Sequence, residues 1–171
     1  MVVRARADTA TALENQLWGR LAEIPDPEIP ILTLTDLGII RFVREAGDSV
    51  TVGVAPTYSG CPATEVIHTS IVALMRRHGV KVPRIERVLS PPWTTDWISD
   101  TGRKKLLAYG IAPPAESVGS KRAVLGQAPT IACPRCTGTN TQKVSEFGST
   151  PCKASYKCGD CPEPFEYFKC I

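Results

Sequence analysis

The chain has 171 residues, 43% hydrophobic and 22% charged, a globular composition with room for one ordinary domain and one small one. No run approaches the ~18 apolar residues of a membrane span, and the N-terminus lacks the apolar core of a secretory signal. Residues 1–110 hold 13 Lys/Arg against 12 Asp/Glu and residues 131–171 hold 5 against 4, so neither segment has the basic excess of a nucleic-acid binder; the expectation is a cytoplasmic protein with no membrane and no nucleic-acid partner.

In chain order, residues 8–23 read as a helix. Leu13, Leu17 and Leu21 recur every four residues as an apolar stripe, Asp8 or Thr9 is the expected cap, and Pro25 ends the helix. Residues 24–30 hold three prolines and exclude regular helix. A short turn or helix follows over 33–37. Residues 38–44 and 49–54 read as antiparallel strands joined by a turn, with Val50, Val52 and Val54 on the buried face. Residues 62–78 form the clearest helix, with Val66, Ile67, Ile71, Leu74 and Met75 inward and Gly79 as its stop. A strand over 84–89 and a helix over 100–109 complete the body. Residues 111–130 have linker composition. The expected organisation is an α+β body over 1–110, a small mixed sheet packed with helices, then a linker over 111–130 and a small C-terminal module over 131–171.

Six of the seven cysteines lie after residue 132. Cys133-Pro-Arg-Cys136 and Cys158-Gly-Asp-Cys161 are two Cys-x-x-Cys knuckles separated by 21 residues. Each knuckle presents two sulfurs to one ion, and four thiolates close a tetrahedral site. A segment of some forty residues buries too little apolar surface to fold unaided, which makes a structural ion the expected staple. Zinc suits a closed four-thiolate site, and iron fits the same sulfurs. The expected ribbon strands lie over 143–147 and 165–168. Cys152 and Cys170 are left over, as alternative ligands or as small core residues.

Cys61 stands apart, between a strand and the best helix. Pro62 fits a first helical turn, which puts Cys61 at or near the cap, where free N–H groups and the helix dipole favour a thiolate. Gly60 lets the backbone turn just before it. The bland reading is a small residue filling a tight turn. A thiol-dependent acyl-CoA enzyme needs a base, and His68 and His78 are not placed by sequence as partners of Cys61. Asp26, Glu28 and Asp36 lie in turns, where carboxylates ordinarily bind local backbone N–H groups; the rival is that they frame a Cys61 pocket. Trp93 and Trp97 are core or interface anchors by type.

Four pieces in this order, Asp26-Pro27-Glu28, then 35–40 (Thr-Asp-Leu-Gly-Ile-Ile), then Pro56-Thr57-x-x-Gly60-Cys61-Pro62, then Pro91-Pro92-Trp93, resemble the SufT-type iron–sulfur assembly family over roughly residues 12–110. The resemblance implies a small α+β domain with a reactive cysteine at Cys61 and a role in maturing iron–sulfur proteins. Thr57 and Gly60 would shape the pocket, with Asp26, Glu28 and Asp36 at its border. The tail motifs, including 145–150 (Ser-Glu-Phe-Gly-Ser-Thr) and 164–170 (Pro-Phe-Glu-Tyr-Phe-Lys-Cys), resemble the accessory proteins encoded with the multicomponent phenylacetyl-CoA epoxidase of aerobic phenylacetate breakdown. That implies a zinc ribbon over Cys133, Cys136, Cys158 and Cys161. It also implies transient iron or an iron–sulfur cluster at Cys61. The implied partners are the epoxidase subunits, above all the iron–sulfur flavin reductase, and the iron–sulfur assembly machinery. The chain has neither paired Glu-x-x-His di-iron motifs nor a dinucleotide fingerprint, so neither oxygenase nor reductase is expected. The remaining rival is a non-catalytic subunit that bridges epoxidase components.

Overall fold

A computed structural model describes residues 10–58, 62–114 and 130–169. The chain divides into two compact units, Met1–Ser99 and Asp100–Ile171.

The first unit opens with helix α1 (Ala12–Leu21), closed at its N-terminus by a capping box in which Thr11 and Glu14 exchange bonds. The cap positions expected from sequence, Asp8 and Thr9, lie outside the described residues. Leu17 and Leu21 are fully buried. Strands β1 (Ile40–Ala46) and β2 (Ser49–Val54) form the expected antiparallel hairpin, and β3 (Val82–Arg87) pairs with β2 in parallel, giving a mixed sheet of order β1-β2-β3. Val50, Val52 and Val54 are buried as the alternation requires. Helix α2 (Thr64–Arg77) packs on β3, and α1 packs on β1 and α2. The α2 residues Ile67, Ile71, Leu74 and Met75 face the core, each such burial contributing about 1.5–3 kcal/mol. Val66, expected inward, is 54% exposed, because it lies one helical step off the buried stripe. The α+β class, with a small mixed sheet packed by helices, is as expected.

The second unit begins with helix α3 (Asp100–Tyr109) and a two-residue strand, β4 (Ile111–Ala112). Strands β5 (Thr141–Ser145), β6 (Lys153–Cys158) and β7 (Pro164–Phe168) complete a four-stranded sheet of order β4-β7-β6-β5. Within this sheet only the β4–β7 pair is parallel. Two sequence expectations change here. Ile111 and Ala112, read as linker, form a strand that pairs with β7, and α3, read as the end of the body, belongs to the same compact unit. Ala112 is buried in the ribbon's small core with Ile131, Ala154, Phe165 and Tyr167, where a short apolar segment gains more than it would in solvent. The central strand β6 was missed altogether. Tyr156 on it stacks on Phe165 and meets Tyr167 edge-on, both at 5.7 Å between centroids.

Candidate metal centre and the clasped loops of the body

The two knuckles converge. The sulfurs of Cys133, Cys136, Cys158 and Cys161 lie within 4.8 Å of one another. Cys133 Sγ is 3.7 Å from Cys161 Sγ, and Cys136 Sγ is 3.5 Å from Cys158 Sγ. A tetrahedral ion ~2.3 Å from each sulfur spaces them about 3.8 Å apart, so the donor set fits a four-thiolate cation site. Cys152 stands outside this set, buried, with its sulfur 3.1 Å from Thr150 Oγ1. Cys170 lies outside the described residues.

Local backbone geometry makes each knuckle. Thr137 N–H donates to Cys133 O, Cys133 N–H to Gly138 O, and Cys158 N–H to Glu163 O. Asp160 N–H points at Cys158 Sγ, 3.4 Å away. The knuckles are also latched to one another. Asn140 Nδ2 donates to Asp160 Oδ1, and Gly159 N–H to Asn140 O. A Cβ at Gly159 would stand 2.5 Å from Asn140 Nδ2, and one at Gly138 would run into the Asp160 carboxylate. Small residues at these two positions let the ligand-bearing turns close on each other.

As thiols, Cys133 and Cys136 hold their protons unequally. Burial works to raise the Cys133 thiol, yet the backbone groups of Cys136 and Arg135 and the neighbouring thiols bring it down to about 7. The backbone at Gly138 works to lower Cys136, but Cys161 and Cys158 push it up to about 12. The Cys133 proton leaves easily and the Cys136 proton is held by its neighbours, an arrangement in which an arriving cation displaces protons as it binds.

In the body, the motif residues form a clasp. Asp26 is buried and its Oδ1 accepts the N–H groups of Glu28 (3.0 Å) and Ile29 (2.8 Å). Asp36 is buried too. Its Oδ2 accepts Thr33 N–H and its N–H donates to Thr33 Oγ1, both at 3.1 Å, a reciprocal pair of the Thr-x-x-Asp kind. Its Oδ1 accepts the Ser99 hydroxyl, and its carbonyl accepts Ser99 N–H. Asp26 thus shapes its own turn through local backbone N–H groups, whereas Asp36 shapes its turn and also ties it to the distant Ser99. Trp93 buries its ring and donates Nε1–H to Leu37 O at 2.9 Å. Gly38 has φ +69°, and a Cβ there would stand 2.5 Å from Trp97 O, so two independent reasons demand glycine. A bulge in β1 between Ile40 and Phe42 turns Arg41 outward from the ladder. Its guanidinium lies 3.5 Å over the Trp97 ring, and burial lowers its pKa. The two short motifs around Asp36 and Trp93 thus hold each other. Sequence reasoning missed Thr33, Arg41 and Ser99 as parts of this clasp; the Thr33-x-x-Asp36 spacing is a local signal that could have found the first of them.

Cys61 and Gly60 lie outside the described residues. Helix α2 begins at Thr64, with Ala63 as its N-cap and no side-chain cap bond, so Pro62 precedes the helix rather than filling its first turn. Thr57 is half-buried in the loop after β2. His68 lies half-buried on α2 and His78 at its C-cap.

Two family models match. The iron–sulfur cluster assembly protein family covers residues 14–86, and the PaaD zinc beta ribbon domain covers 117–169. A relative from Escherichia coli (strain K12), the putative D subunit of 1,2-phenylacetyl-CoA epoxidase, is 48% identical over 157 residues, 92% of this chain and 93% of its own. An Fe-S protein maturation auxiliary factor from Porphyromonas gingivalis (strain ATCC BAA-308 / W83) is 32% identical over 95 residues, 54% of this chain and 90% of its own. A crystal structure of a domain of unknown function, DUF59, from Bacillus anthracis matches with TM-score 0.52 and 23% identity, covering 56% of this chain and 92% of that one; this last likeness concerns the fold alone. Among the described residues no helix is long and apolar enough to cross a membrane.

Proposed function

We propose an accessory role in iron–sulfur maturation for this chain, which belongs to the PaaD family of phenylacetyl-CoA epoxidase components. The observation that carries the reading is the near full-length relationship to an epoxidase component of that family, joined to an iron–sulfur assembly family match over the body. The chain serves phenylacetate degradation as an accessory component in the cytoplasm. Its client is the iron–sulfur flavin reductase of the epoxidase, and its cargo is iron, sulfide or an assembled cluster.

In this reading Cys61 is the relay. A thiolate is a soft ligand for iron. It takes one coordination position on the incoming cargo and yields that position to a cysteine of the client, a ligand exchange that leaves the electron count unchanged. Thr57 and Gly60 shape the loop that carries it. Asp26, Glu28 and Asp36 border it in this reading, and the bonds of Asp36 with Ser99 and of Trp93 with Leu37 hold the Asp36 loop in place. Cys133, Cys136, Cys158 and Cys161 hold zinc. Four thiolates fill its coordination, so the ion supplies folding energy and no open position for chemistry. The epoxidase subunits and the assembly machinery are the partners.

A second reading, a non-catalytic bridge, draws on the relative being named as one part of a multicomponent epoxidase and on the exposed Val144 (68%) and Phe147 (64%) of the ribbon. Anaerobic iron, zinc and sulfide analysis of wild type and Cys61→Ser, each mixed with the apo-reductase, separates the two. The relay reading expects equal zinc in both proteins and cluster transfer only from wild type. Equal maturation of the reductase by both would overturn it and favour the bridge.

A further inference from the structure

Strand β3 is an edge of the body's sheet, with no strand on its outer side among the described residues. The opposite edge is guarded: α1 lies against β1, and the Glu14 carboxylate accepts the Glu45 N–H at 2.7 Å. Val82 N–H donates to Asp48 O and Val88 N–H to Val54 O, both toward β2. Backbone groups alternate along a strand, so the outward-facing ones are the Pro83 carbonyl, both groups of Ile85, and those of Arg87. Side chains alternate too. Pro83 and Ile85 are half-buried on the face that α2 covers, while Val82, Arg84 and Glu86 are exposed. Neither Arg84 nor Glu86 forms an ion pair among the described residues.

Proline and charge on an edge ordinarily discourage pairing, and composition alone would assign that role here. The order of the residues points elsewhere. Val82-Pro-Arg-Ile-Glu-Arg-Val88 is self-complementary when read antiparallel about Ile85. Arg84 falls opposite Glu86, and Val82 opposite Val88. We propose that β3 is a homodimer edge: it pairs antiparallel with β3 of a second copy in this one register and joins two three-stranded sheets into one of six.

The backbone fits the register. The two Ile85 residues exchange two hydrogen bonds, and each Arg87 N–H reaches the opposite Pro83 carbonyl, for four bonds in all. The proline's missing N–H costs only two bonds at the ends. The charges then select the register. Moving the centre to Arg84 sets Arg84 against itself, and moving it to Glu86 sets Glu86 against itself, both repulsive contacts. On the other face, the half-buried Ile85 side chains lie beside each other and lose their remaining contact with water.

The test is sedimentation equilibrium of the full chain over a concentration series reaching about 1 mM, with Arg84→Glu and Glu86→Arg. Both residues are exposed and form no ion pair among the described residues, and circular dichroism checks that each variant keeps its fold. Wild type is expected to dimerise. Each single variant places like charges at two cross-strand positions and should raise the dimer dissociation constant by about tenfold or more. An equimolar mixture of the two variants restores opposite charges and should re-associate as a heterodimer. Oxidised Ile85→Cys should also form a disulfide-linked dimer, because a hydrogen-bonded antiparallel pair sets Cα atoms about 5.5 Å apart, within disulfide reach. A wild type that stays monomeric at the top of the series, or a Glu86→Arg variant that dimerises as well as wild type, overturns the proposal. So does a mixture that fails to re-associate.

Discussion

The two units of this chain solve the folding problem by different means. The body buries Leu17, Leu21, Leu32, Leu34, Val50, Val52, Ile71 and Met75 at 2% exposure or less, and its carboxylates are spent on shaping turns. The ribbon has a short apolar list, two of whose core members are the cysteines Cys133 and Cys158. Its residues include a lysine at 4% exposure, tied to Glu166 at 2.7 Å. A core of that size does not stand without a cross-link or an ion. The body should therefore respond to changes in packing and backbone, and the ribbon to changes in its ligands.

The widest separation of the two comes from the metal. If the four thiolates hold zinc as proposed, chelation at neutral pH, or Cys158→Ala, should unfold the ribbon while the body persists, since a structural zinc site contributes roughly 10 kcal/mol or more of apparent folding energy. Amide NMR spectra would show dispersion lost from 131–169 and kept in the body; loss of both would make the units one cooperative system. Affinity for the ion should fall as pH falls, because protons then compete for the same thiolates, the Cys133 thiol being lowered to about 7.

A smaller effect, confined to the body, is expected from Gly38→Ala. It forces a side chain into φ +69° and against Trp97 O, and should cost about 2–3 kcal/mol. Chemical denaturation should show a lower midpoint for the body, while chelator sensitivity of the ribbon stays at the wild-type value. The smallest effect is expected from Lys153→Met. It leaves the partly exposed Glu166 with its Ser149 bonds but without its cation, at about 1 kcal/mol. Burial works to raise the Glu166 carboxyl, and Lys153 and Ser149 together hold it below its usual range. A carboxylate so lowered stabilises the fold above its unfolded pKa and loses that contribution as pH falls through the folded value. The Lys153→Met defect should accordingly be visible in thermal unfolding at pH 7 and shrink below pH 4.5.

Much of the body was readable in advance because its elements obey a period. The hairpin of β1 and β2 follows from alternation, and the inner face of α2, Val66 excepted, from four-residue spacing. The four ligand cysteines follow from knuckle chemistry alone. Strand β6 was not readable for an equally definite reason. Lys153 occupies a core position that pattern reasoning assigns to an apolar residue, and it is admissible there only because Glu166 on β7 meets it. Strand β4 was hidden by its length, since two apolar residues carry no period.

By itself, the sequence determined those properties whose causes lie within a few neighbouring residues: the knuckles, most of the buried stripe of α2, and the stop at Gly79. Tertiary structure decided what depends on distant partners. It brought the knuckles within one coordination sphere, moved α3 and β4 into the ribbon's unit, and set Trp93 and Ser99 against the loop of Asp36. Short-range order is written in propensity and periodicity, which a chain carries wherever it folds. A contact between residues far apart in the chain exists only once the intervening strands have paired.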